Sequence, residues 1–470
     1  MITKVKHICC IGAGYVGGPT MAVFADRCPD IQFYVVDHNK DRVDGWNSED
    51  LSKLPIYEPG LKELVEKCRG KNLHFSTEVE NYIPLSDMIF ISVNTPTKNK
   101  GIGAGLASDL KWIEMSARQI AKYARSHTIV VEKSTLPVRT AELINTILQS
   151  NDSVNKNSNY KSFTVLSNPE FLSEGSAIND LLNPDRVLIG GNDEKSINEL
   201  VAIYSNWVKK EKILKTNLWS SELSKLTANA FLAQRISSIN SISGLCESTG
   251  ADIKEVSLAV GTDSRIGDKF LNAGPGFGGS CFKKDILNLI YICEYYGLHE
   301  VAAYWRVVID LNTWQQKRIS NKIVEKLFGT ISGKKIAIFG FSFKANTNDT
   351  RESPAINICK DLMEEGAELQ IYDPRVNSEQ IQKELDYPIK DLDNYYLGAG
   401  GWIYSENIYN SFIDADAAVF LTEWEEFRNI NWKRVSELMR KPSWIFDTRF
   451  ILDLNEAKDL GFNIWRVGLG

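Results

Sequence analysis

The chain has 470 residues, too many for one ordinary hydrophobic core, so we expect two or three domains. Hydrophobic residues make up 43% and charged residues 24% of the sequence, which is typical of a soluble globular protein. The net charge is -6 without a basic stripe, which disfavours nucleic acid as a partner because binding phosphates requires clustered Lys and Arg. The sequence shows neither a signal-peptide pattern nor an apolar run that could span a bilayer, so we predict a cytoplasmic protein with no membrane partner.

The cysteines favour the same compartment. All eight are scattered along the chain, with no C-x-x-C pair and no regular spacing. Disulfide frameworks and structural zinc sites depend on such spacing, so we expect free thiols and no bound metal.

Two sets of apolar segments, one towards each end of the chain, predict the fold. The first set lies at residues 6–12, 31–37, 87–93 and 128–132, and the second follows the same pattern at residues 335–340, 369–373, 416–421 and 444–447. Continuous apolar strands separated by helical stretches indicate parallel sheets covered on both faces. The predicted class is therefore α/β, with two Rossmann-like, doubly wound parallel-sheet domains.

The segment between these two sets is interpreted as a helical central domain. No proline occurs from residue 220 to residue 274, which permits a long connecting helix with Ser220 or Ser221 as its N-cap. The glycine-rich stretch at 398–402 is predicted to be a loop. The resulting domain boundaries are 1–212, 213–328 and 329–470.

A dinucleotide-binding motif opens the first domain. In the sequence Gly12-Ala-Gly-Tyr-Val-Gly17, Gly12 permits a tight turn, Gly14 lets the backbone approach a pyrophosphate, and Gly17 allows close helix packing. Asp37 lies 20 residues after Gly17, at a strand end, where its carboxylate can accept ribose hydroxyls and would repel a 2′-phosphate. The pattern predicts NAD, against the alternative of a turn that binds nothing. Arg42 either flanks the adenosine or is a solvated surface residue.

The second Rossmann-like domain is predicted to bind a different group. Bulky residues, Phe-Ser-Phe, follow Gly340 and would block the approach that a second NAD requires. Lys344, Arg351 and Arg449 instead favour a diphosphate, and so a nucleotide-bearing substrate in a cleft between the domains. For each residue alone, a surface salt bridge is the alternative.

Cys281 is the most specific functional feature. Four glycines precede it within residues 274–279, and a predicted helix follows it. A cysteine at a helix N-terminus has its thiolate stabilised by the helix dipole and free N–H groups, and the glycines leave room for a substrate. Asp285 is four residues further, on the same helix face, where it can activate water. The alternative, a small buried cysteine after a loop, is our interpretation of Cys293.

Two further pairs of polar residues are candidates for the chemistry. Lys225 and Asn229 are spaced i,i+4 on a predicted helix, where an ammonium and an amide can bind a developing oxyanion or can simply face solvent. Glu170 and Glu174 follow a predicted strand, where they can orient water and bind sugar hydroxyls or act as loop caps.

Taken in order, the motifs resemble the UDP-glucose 6-dehydrogenases of the UDP-glucose/GDP-mannose dehydrogenase family, especially the animal-type branch. The similarity covers nearly the whole chain, at residues 11–19, 91–97, 132–135, 168–172, 183–190, 222–225, 277–281 and 349–352. Asn272, Pro275 and Lys283 depart from the animal pattern.

The resemblance implies that NAD oxidises UDP-glucose to UDP-glucuronate through a Cys281 thiohemiacetal and thioester, with two NAD per sugar. It implies the catalytic residues Cys281, Lys225, Asp285, Glu170, Asn229 and Thr135. It implies NAD contacts at Gly12, Gly14, Tyr15, Val16, Gly17, Asp37, Arg42, Val93, Asn94, Thr95, Pro96, Thr97, Ser134, Thr135, Leu136, Glu174, Lys284 and Arg351. It implies sugar-nucleotide contacts at Glu170, Phe171, Leu172, Glu174, Lys225, Asn229, Arg265, Phe270, Phe277, Gly278, Lys344 and Arg449.

The resemblance also implies an assembly. The three domains would bind NAD, form a dimer and bind the UDP-sugar, respectively. Arg265 would be lent to a neighbouring subunit's site, which predicts a homo-oligomer built from dimers, such as a hexamer. Two other functions remain open, a GDP-mannose 6-dehydrogenase and a non-catalytic sensor of NAD or nucleotide sugars.

Overall fold

Two β-sheets organise the computed structural model, which describes residues 4–150, 161–387 and 398–470. One sheet lies in a unit formed by Met1–Ala228 and Leu287–Gly297, named here the N-terminal unit. The other lies in a unit formed by Asn229–Ile286 and Leu298–Gly470, named the C-terminal unit. The domain boundaries drawn from the sequence stay predictions.

The sheet of the N-terminal unit has eight strands in the described part of the chain. They are β1 (His7–Ile11), β2 (Gln32–Val36), β3 (Leu73–Ser76), β4 (Met88–Ile91), β5 (Thr128–Glu132), β6 (Phe163–Ser167), β7 (Val187–Gly190) and β8 (Ile213–Thr216). Their spatial order is β3-β2-β1-β4-β5-β6-β7-β8. The first six strands run parallel, as predicted, whereas β6 and β7 meet antiparallel at Ser167 and Gly190, so β7 and β8 run the other way.

Alternation along β1 explains why helices cover both faces of this sheet. Ile8 and Cys10 pack on one face, and Cys9 and Ile11 pack on the other, because successive side chains of a strand point to opposite sides. The helices of this unit are α1 (Gly17–Arg27), α2 (Lys40–Asn47), α3 (Leu61–Cys68), α4 (Val79–Tyr82), α5 (Lys111–Tyr123), α6 (Thr140–Ser150), α7 (Ala177–Leu182) and α8 (Glu194–Tyr204). The first three lie on the Ile8 face, and α5 and α6 lie on the Cys9 face.

The central helices are long, as predicted. They are α9 (Leu218–Thr249), α10 (Ile253–Thr262), α11 (Phe282–Tyr295) and α12 (His299–Lys326). Helix α9 spans 32 residues and contributes to both units. Asn217 caps it, because its Oδ1 accepts the N–H of Ser220 at 2.8 Å, so the expectation of Ser220 or Ser221 as N-cap was wrong. No helix in the described ranges is long and apolar enough to cross a membrane.

The sheet of the C-terminal unit is fully parallel. Its strands are β9 (Lys335–Phe339), β10 (Glu368–Tyr372), β11 (Gly401–Tyr404), β12 (Ala417–Phe420), β13 (Trp444–Asp447) and β14 (Asn463–Arg466). Their order, β11-β10-β9-β12-β13-β14, is the doubly wound order 3-2-1-4-5-6. The accompanying helices are α13 (Pro354–Glu364), α14 (Ser378–Leu385), α15 (Trp432–Leu438) and α16 (Asn455–Asp459). The predicted pair of Rossmann-like domains joined by helices is therefore confirmed.

One segment predicted as a loop is partly strand. Gly401 and Trp402 begin β11, which pairs with β10 at the edge of the sheet. The Trp402 ring is fully buried, and its Nε1 donates to the Tyr387 carbonyl at 3.0 Å. Sequence analysis did not predict this strand, because glycines are rare in strands. The packing of the Trp402 indole holds β11 at the edge of the sheet.

We expect Trp402→Ala to lower the free energy of unfolding by about 3–5 kcal/mol, since the substitution leaves a large cavity beside β10. Trp219, half exposed on α9, is the matched control, and its alanine variant should cost about 1 kcal/mol or less. Urea unfolding followed by circular dichroism measures both. Equal losses in the two variants would contradict the packing role given to Trp402.

Candidate active site

The glycine motif after β1 forms a turn that only glycine can make at two of its positions. Gly12 has a φ of +111°, and a Cβ there would lie 2.2 Å from the Ser92 carbonyl oxygen. A Cβ on Gly17 would lie 2.0 Å from the Gly12 oxygen. A Cβ on Gly14 would meet nothing within 4 Å. Gly12 and Gly17 are therefore required by the fold, whereas the open space at Gly14 fits the approach of a pyrophosphate.

Asp37 holds its carboxylate at the end of β2. Its Oδ2 accepts the Ala13 N–H and Nη1 of Arg42, each at 2.9 Å, and its Oδ1 accepts the Asn39 N–H at 3.0 Å. Burial alone would raise the pKa of Asp37, but these hydrogen bonds and the Arg42 charge outweigh burial and lower it. The carboxylate is thus ionised and oriented, with Arg42 beside it, where the sequence predicts the ribose hydroxyls to bind.

The two loops predicted to contact the cofactor lie side by side, because β4 and β5 are neighbours. The Thr95 hydroxyl donates to the Thr135 carbonyl at 3.1 Å, and the Ser134 hydroxyl donates to the Val93 carbonyl at 2.7 Å. Leu136 is buried in the core, so it can offer only its backbone to a ligand.

A buried ion pair orders the loop after β6. The Lys133 ammonium lies 2.8 Å from Oε2 of Glu170 and donates to the Asn168 Oδ1 and the Tyr204 hydroxyl at 3.1 and 3.2 Å. Burial alone would lower the pKa of Lys133, but the Glu170 carboxylate and Tyr204 outweigh it and raise it. Oε1 of Glu170 also accepts the N–H groups of Phe171 and Leu172. Glu174, the other acidic residue that the sequence predicts to act in this loop, is half-buried.

Lys225 lies in the same unit and is buried rather than solvent-facing. It is 7% exposed, and its ammonium lies 5.3 Å from the centroid of the Phe171 ring. The Arg186 guanidinium lies 3.8 Å from the same centroid. Phe171 therefore contacts two cations, an arrangement in which the ring quadrupole offsets part of their desolvation.

Cys281 is the exposed member of the eight cysteines, and the other seven are buried. Helix α11 begins at the next residue, and its Asp285 N–H donates to the Cys281 carbonyl at 2.9 Å. The sulfur thus lies at the start of the helix and is accessible to a substrate. Burial raises the pKa of several other thiols, that of Cys10 to about 12, which leaves them poor nucleophiles.

A buried amide and carboxylate lie one helical turn behind this thiol. Asn229 is 5% exposed, and its Nδ2 donates to Oδ2 of Asp285 at 2.6 Å. The Lys284 ammonium lies 2.9 Å from Oδ1 of Asp285. The predicted catalytic residues are therefore divided between the units: Thr135, Glu170 and Lys225 belong to the N-terminal unit, and Asn229, Cys281 and Asp285 to the C-terminal unit.

Phe343 connects the glycine-rich loop to the basic residues of the C-terminal sheet. A Cβ on Gly278 would lie 2.9 Å from the Phe343 Cβ, so the loop and this ring are in close contact. The Lys344 ammonium lies 5.6 Å from the ring centroid, and Arg449 donates to the Phe343 carbonyl at 3.4 Å. Gly278, Lys344 and Arg449 therefore all lie close to Phe343, and the diphosphate site stays a prediction.

Three other predicted residues of this unit have local partners. Arg351 makes a two-pronged ion pair with Asp349, with distances of 2.8 and 2.6 Å. The Arg265 side chain is 86% exposed and pairs with Asp263 at 2.6 Å. Phe270 has a φ of +63°, and its ring centroid lies 6.5 Å from that of Phe282.

In the C-terminal sheet, Asp373 occupies the position that Asp37 has in the N-terminal sheet. Its Oδ2 accepts the N–H groups of Phe341 and Ser342 and Nε1 of Trp424, at 2.7, 3.0 and 3.2 Å. Its Oδ1 accepts the N–H groups of Arg375 and the following residue. Asp373 thus accepts more hydrogen bonds from the protein than Asp37 does, including one from an indole, which supports the prediction of a different ligand in this sheet.

Sequence analysis missed several residues that hold the site. Lys133 lies inside a recognised motif, and a lysine that follows so closely on the apolar run at residues 129–131 is a signal that a buried partner is needed. Asn240 and Asn312 hold the glycine-rich loop by accepting the N–H groups of Gly274 and Phe277, each at 2.8 Å. Nothing in the spacing of these asparagines indicated that contact.

Comparison with known proteins identifies the family. Three domain models of the UDP-glucose/GDP-mannose dehydrogenase family match the chain. They are the NAD binding domain at residues 6–208, the central domain at 219–314 and the UDP binding domain at 337–454. The first match gives NAD as the cofactor of the N-terminal unit.

Curated relatives match over almost their whole length and include the animal proteins that the motifs resembled. The UDP-glucose 6-dehydrogenase of Drosophila melanogaster is 56% identical, covering 98% of this chain and 96% of the relative. That of Gallus gallus is 55% identical, with 99% and 93% covered, and UDP-glucose 6-dehydrogenase 4 of Arabidopsis thaliana is 53% identical, with 98% and 96% covered.

Solved structures agree with the sequence relatives. A UDP-glucose dehydrogenase from Pyrobaculum islandicum superposes with a TM-score of 0.83 at 28% identity, covering 100% of this chain and 98% of that one. A UDP-D-ManNAc dehydrogenase from Pyrococcus horikoshii gives a TM-score of 0.81 at 25% identity, with 99% of both chains covered. With all three domains matched and more than half of the residues identical to curated relatives, the chain belongs to the UDP-glucose/GDP-mannose dehydrogenase family.

Proposed function

We propose that the protein oxidises UDP-glucose to UDP-glucuronate with two NAD⁺ per sugar, through a thioester on Cys281. The observation that carries the proposal is the exposed thiol at the start of α11, with a buried carboxylate one turn behind it. The relatives named UDP-glucose 6-dehydrogenase support the choice of sugar.

The N-terminal unit offers a site that fits NAD. The open face of Gly14 accommodates the pyrophosphate, the start of α1 offers N–H groups, and Asp37 accepts the ribose hydroxyls. When bound, NAD⁺ supplies the hydride acceptor for both oxidation steps. The loops at 93–97 and 134–136 would hold the nicotinamide end, with Thr135 facing the reacting carbon.

The first step leaves an aldehyde, and Lys225 is proposed to stabilise the negative charge on the sugar oxygen together with Asn229. An ammonium and an amide in a water-poor environment are effective donors, because the low local dielectric strengthens each hydrogen bond. Both side chains are almost fully buried, as such a role requires. Their fixed positions on one helix mean that little reorganisation is needed during the reaction.

Cys281 then adds to the aldehyde as the thiolate, which forms a thiohemiacetal. Its oxidation leaves a thioester, and water cleaves that bond to release the acid and restore the thiol. Asp285, held by Asn229 and Lys284, and Glu170, held by Lys133, are proposed to orient this water. Covalent capture keeps the reactive aldehyde bound between the two oxidations.

The C-terminal unit is proposed to bind the UDP moiety through Lys344 and Arg449 beside the glycine-rich loop. The exposed Arg265 is proposed to serve a neighbouring subunit, in a homo-oligomer built from dimers. Eight free cysteines favour a reducing compartment such as the cytoplasm.

Substrate choice and stoichiometry test the proposal directly. With UDP-glucose in limiting amount, we expect two NADH per sugar consumed, measured by absorbance at completion. GDP-mannose should give a far lower rate under the same conditions. Preference for GDP-mannose would assign the alternative activity, and no NADH with either sugar would favour a sensor.

Replacing the nucleophile separates binding from turnover. We expect Cys281→Ser to bind UDP-glucose and NAD with near-normal affinity and to lose steady formation of the acid by a factor of about 10³ or more, because an alkoxide is poorly accessible at neutral pH. Cys293→Ser, a change at a buried thiol in the same helix, is the control for sulfur loss. Undiminished formation of acid by Cys281→Ser would refute the covalent route.

The two glycines of the dinucleotide turn should respond differently to a methyl group. Gly14→Ala should keep its unfolding midpoint but weaken NAD binding by about tenfold or more, because the new Cβ projects into the ligand's space. Gly12→Ala should lower stability as well, because its Cβ collides with backbone at a φ of +111°. Thermal unfolding and fluorescence titration with NADH distinguish the two, and normal NADH affinity in Gly14→Ala would contradict the assigned site.

A further inference from the structure

Two buried carboxyl groups meet behind the candidate site of the N-terminal unit. Glu132 is the last residue of β5 and is 2% exposed, and Glu222 lies in the first turns of α9 and is 3% exposed. The Glu222 charge acts on Glu132 and raises its pKa. The geometry agrees, because the Ser221 hydroxyl beside Glu222 lies 3.5 Å from the carbonyl oxygen of Ser167, the residue that pairs with Glu132 across the sheet. Two carboxylates cannot share such a contact out of water without a proton between them, because their repulsion adds to the cost of burial.

The two partners differ in what else they contact. Glu222 accepts the Arg139 N–H through Oε2 at 2.6 Å and the Ala141 N–H through Oε1 at 2.8 Å, so it caps the start of α6. Oε2 of Glu132 has no hydrogen-bond acceptor or donor assigned to it among the described residues, and the Ser167 hydroxyl faces this side chain. Glu222 therefore has the donors that a carboxylate needs, and Glu132 is the member that carries the proton.

The backbone at this junction is strained. Arg139 has a φ of +78°, which is uncommon for a residue with a side chain, and its N–H is the one that donates to Glu222. Such conformations persist only where the surroundings impose them. The Glu222 carboxylate is the group that imposes this one, because it ties residue 139 and the first turn of α6 to α9.

We propose that the buried pair Glu132–Glu222 positions the catalytic groups on either side of it. Glu132 directly precedes Lys133, Ser134 and Thr135, and Glu222 precedes Lys225 by three residues, close to one helical turn. The pair thus locks the loop that carries Thr135 to the helix that carries Lys225. Both glutamates are positioning residues, and the proposal rests on the function proposed above for those two catalytic groups.

The cations Lys133, Arg139 and Lys225, on the strand and helices packed around the two glutamates, each contact another group. On β5, the Lys133 ammonium is bound to Glu170, Asn168 and Tyr204. On α6, the Arg139 guanidinium pairs with Glu142 at 2.9 Å, at the surface. On α9, the Lys225 ammonium lies over the Phe171 ring. A shared proton is therefore the means by which this pair of acids remains buried.

The stability that the Glu132–Glu222 pair contributes depends on pH, and the pKa shifts give the direction of that dependence. Burial raises the pKa of both carboxyl groups, and the Glu222 charge raises that of Glu132 further. A carboxyl group with a raised folded-state pKa contributes stability at low pH and loses it as pH rises through that pKa. The lock is therefore present at low pH and is lost as pH rises through the raised pKa, when two buried carboxylates repel each other.

Asymmetric substitutions test the assignment of the proton. Glu132→Gln should keep kcat within about threefold, because the amide N–H still donates to Glu222, and it should remove the loss of activity that the pair causes in wild type as pH rises. Glu132→Ala should lower kcat by about tenfold or more with little change in NAD affinity, since the dinucleotide turn is separate. Glu222→Gln should behave like Glu132→Ala, because its amide N–H₂ faces backbone donors. Glu142→Gln, an exposed change at the same helix, should match wild type throughout.

Three kinetic results would overturn the proposal: an unchanged loss of activity with rising pH in Glu132→Gln, equal loss in Glu132→Gln and Glu132→Ala, or full activity in Glu222→Gln. Should a variant fail to fold, amide hydrogen exchange of wild type gives the decision. Corrected for intrinsic rates, exchange at residues 139–141 should accelerate as pH rises, and pH-independent protection would overturn the proposal. This readout needs no substrate, so its failure is distinct from failure of the proposed oxidation.

Discussion

Backbone hydrogen bonds that continue past the strand ends fix the candidate site of the N-terminal unit. The Gly12 N–H donates to the Val36 carbonyl at 2.8 Å, and those of Ser92 and Lys133 donate to the Ile11 and Ile91 carbonyls at 2.8 and 2.9 Å. Each bond sets the residue that follows one strand against the last residue of its neighbour. Because the strands are parallel, all of these residues come to the same edge. The glycine turn, the Ser134 loop and the Lys133 ammonium owe their proximity to this ladder rather than to contacts among their side chains.

In each of the two units, charge near the predicted catalytic residues is buried in matched sets. Lys133 with Glu170, and Asp285 with Asn229 and Lys284, each satisfy a charge that would be costly alone in the interior. Such groups keep their orientation, so little reorganisation remains for the reaction itself. The thiol of Cys281 is exposed, as the proposed nucleophile has to be.

Most of the architecture was accessible from the sequence because it depends on local patterns. Apolar runs of strand length, the glycine spacing and the proline-free segment predicted both sheets and α9, and these predictions are confirmed. The strand at Trp402 was missed because its glycines disguise it and distant packing determines it. The ion pair of Lys133 with Glu170 joins residues 37 positions apart, and the pair Glu132 and Glu222 joins residues 90 positions apart. No periodicity within one element records such pairs. The assignment of individual catalytic residues stays a prediction.

The two sheets show how one topology is adapted to different ligands through a few side chains. In both, the first N–H after the glycine donates to an aspartate at the end of the second strand, at 2.9 Å to Asp37 and at 2.7 Å to Asp373. Asp37 accepts its side-chain hydrogen bond from Arg42, whereas Asp373 accepts hydrogen bonds from the Trp424 indole and the Ser342 hydroxyl. A carboxylate saturated by the protein stabilises its own loop and has nothing to offer a ribose. The C-terminal sheet is therefore suited to contacts through Lys344 and Arg449, which lie beside that closed loop, and its repeated fold does not imply a repeated cofactor.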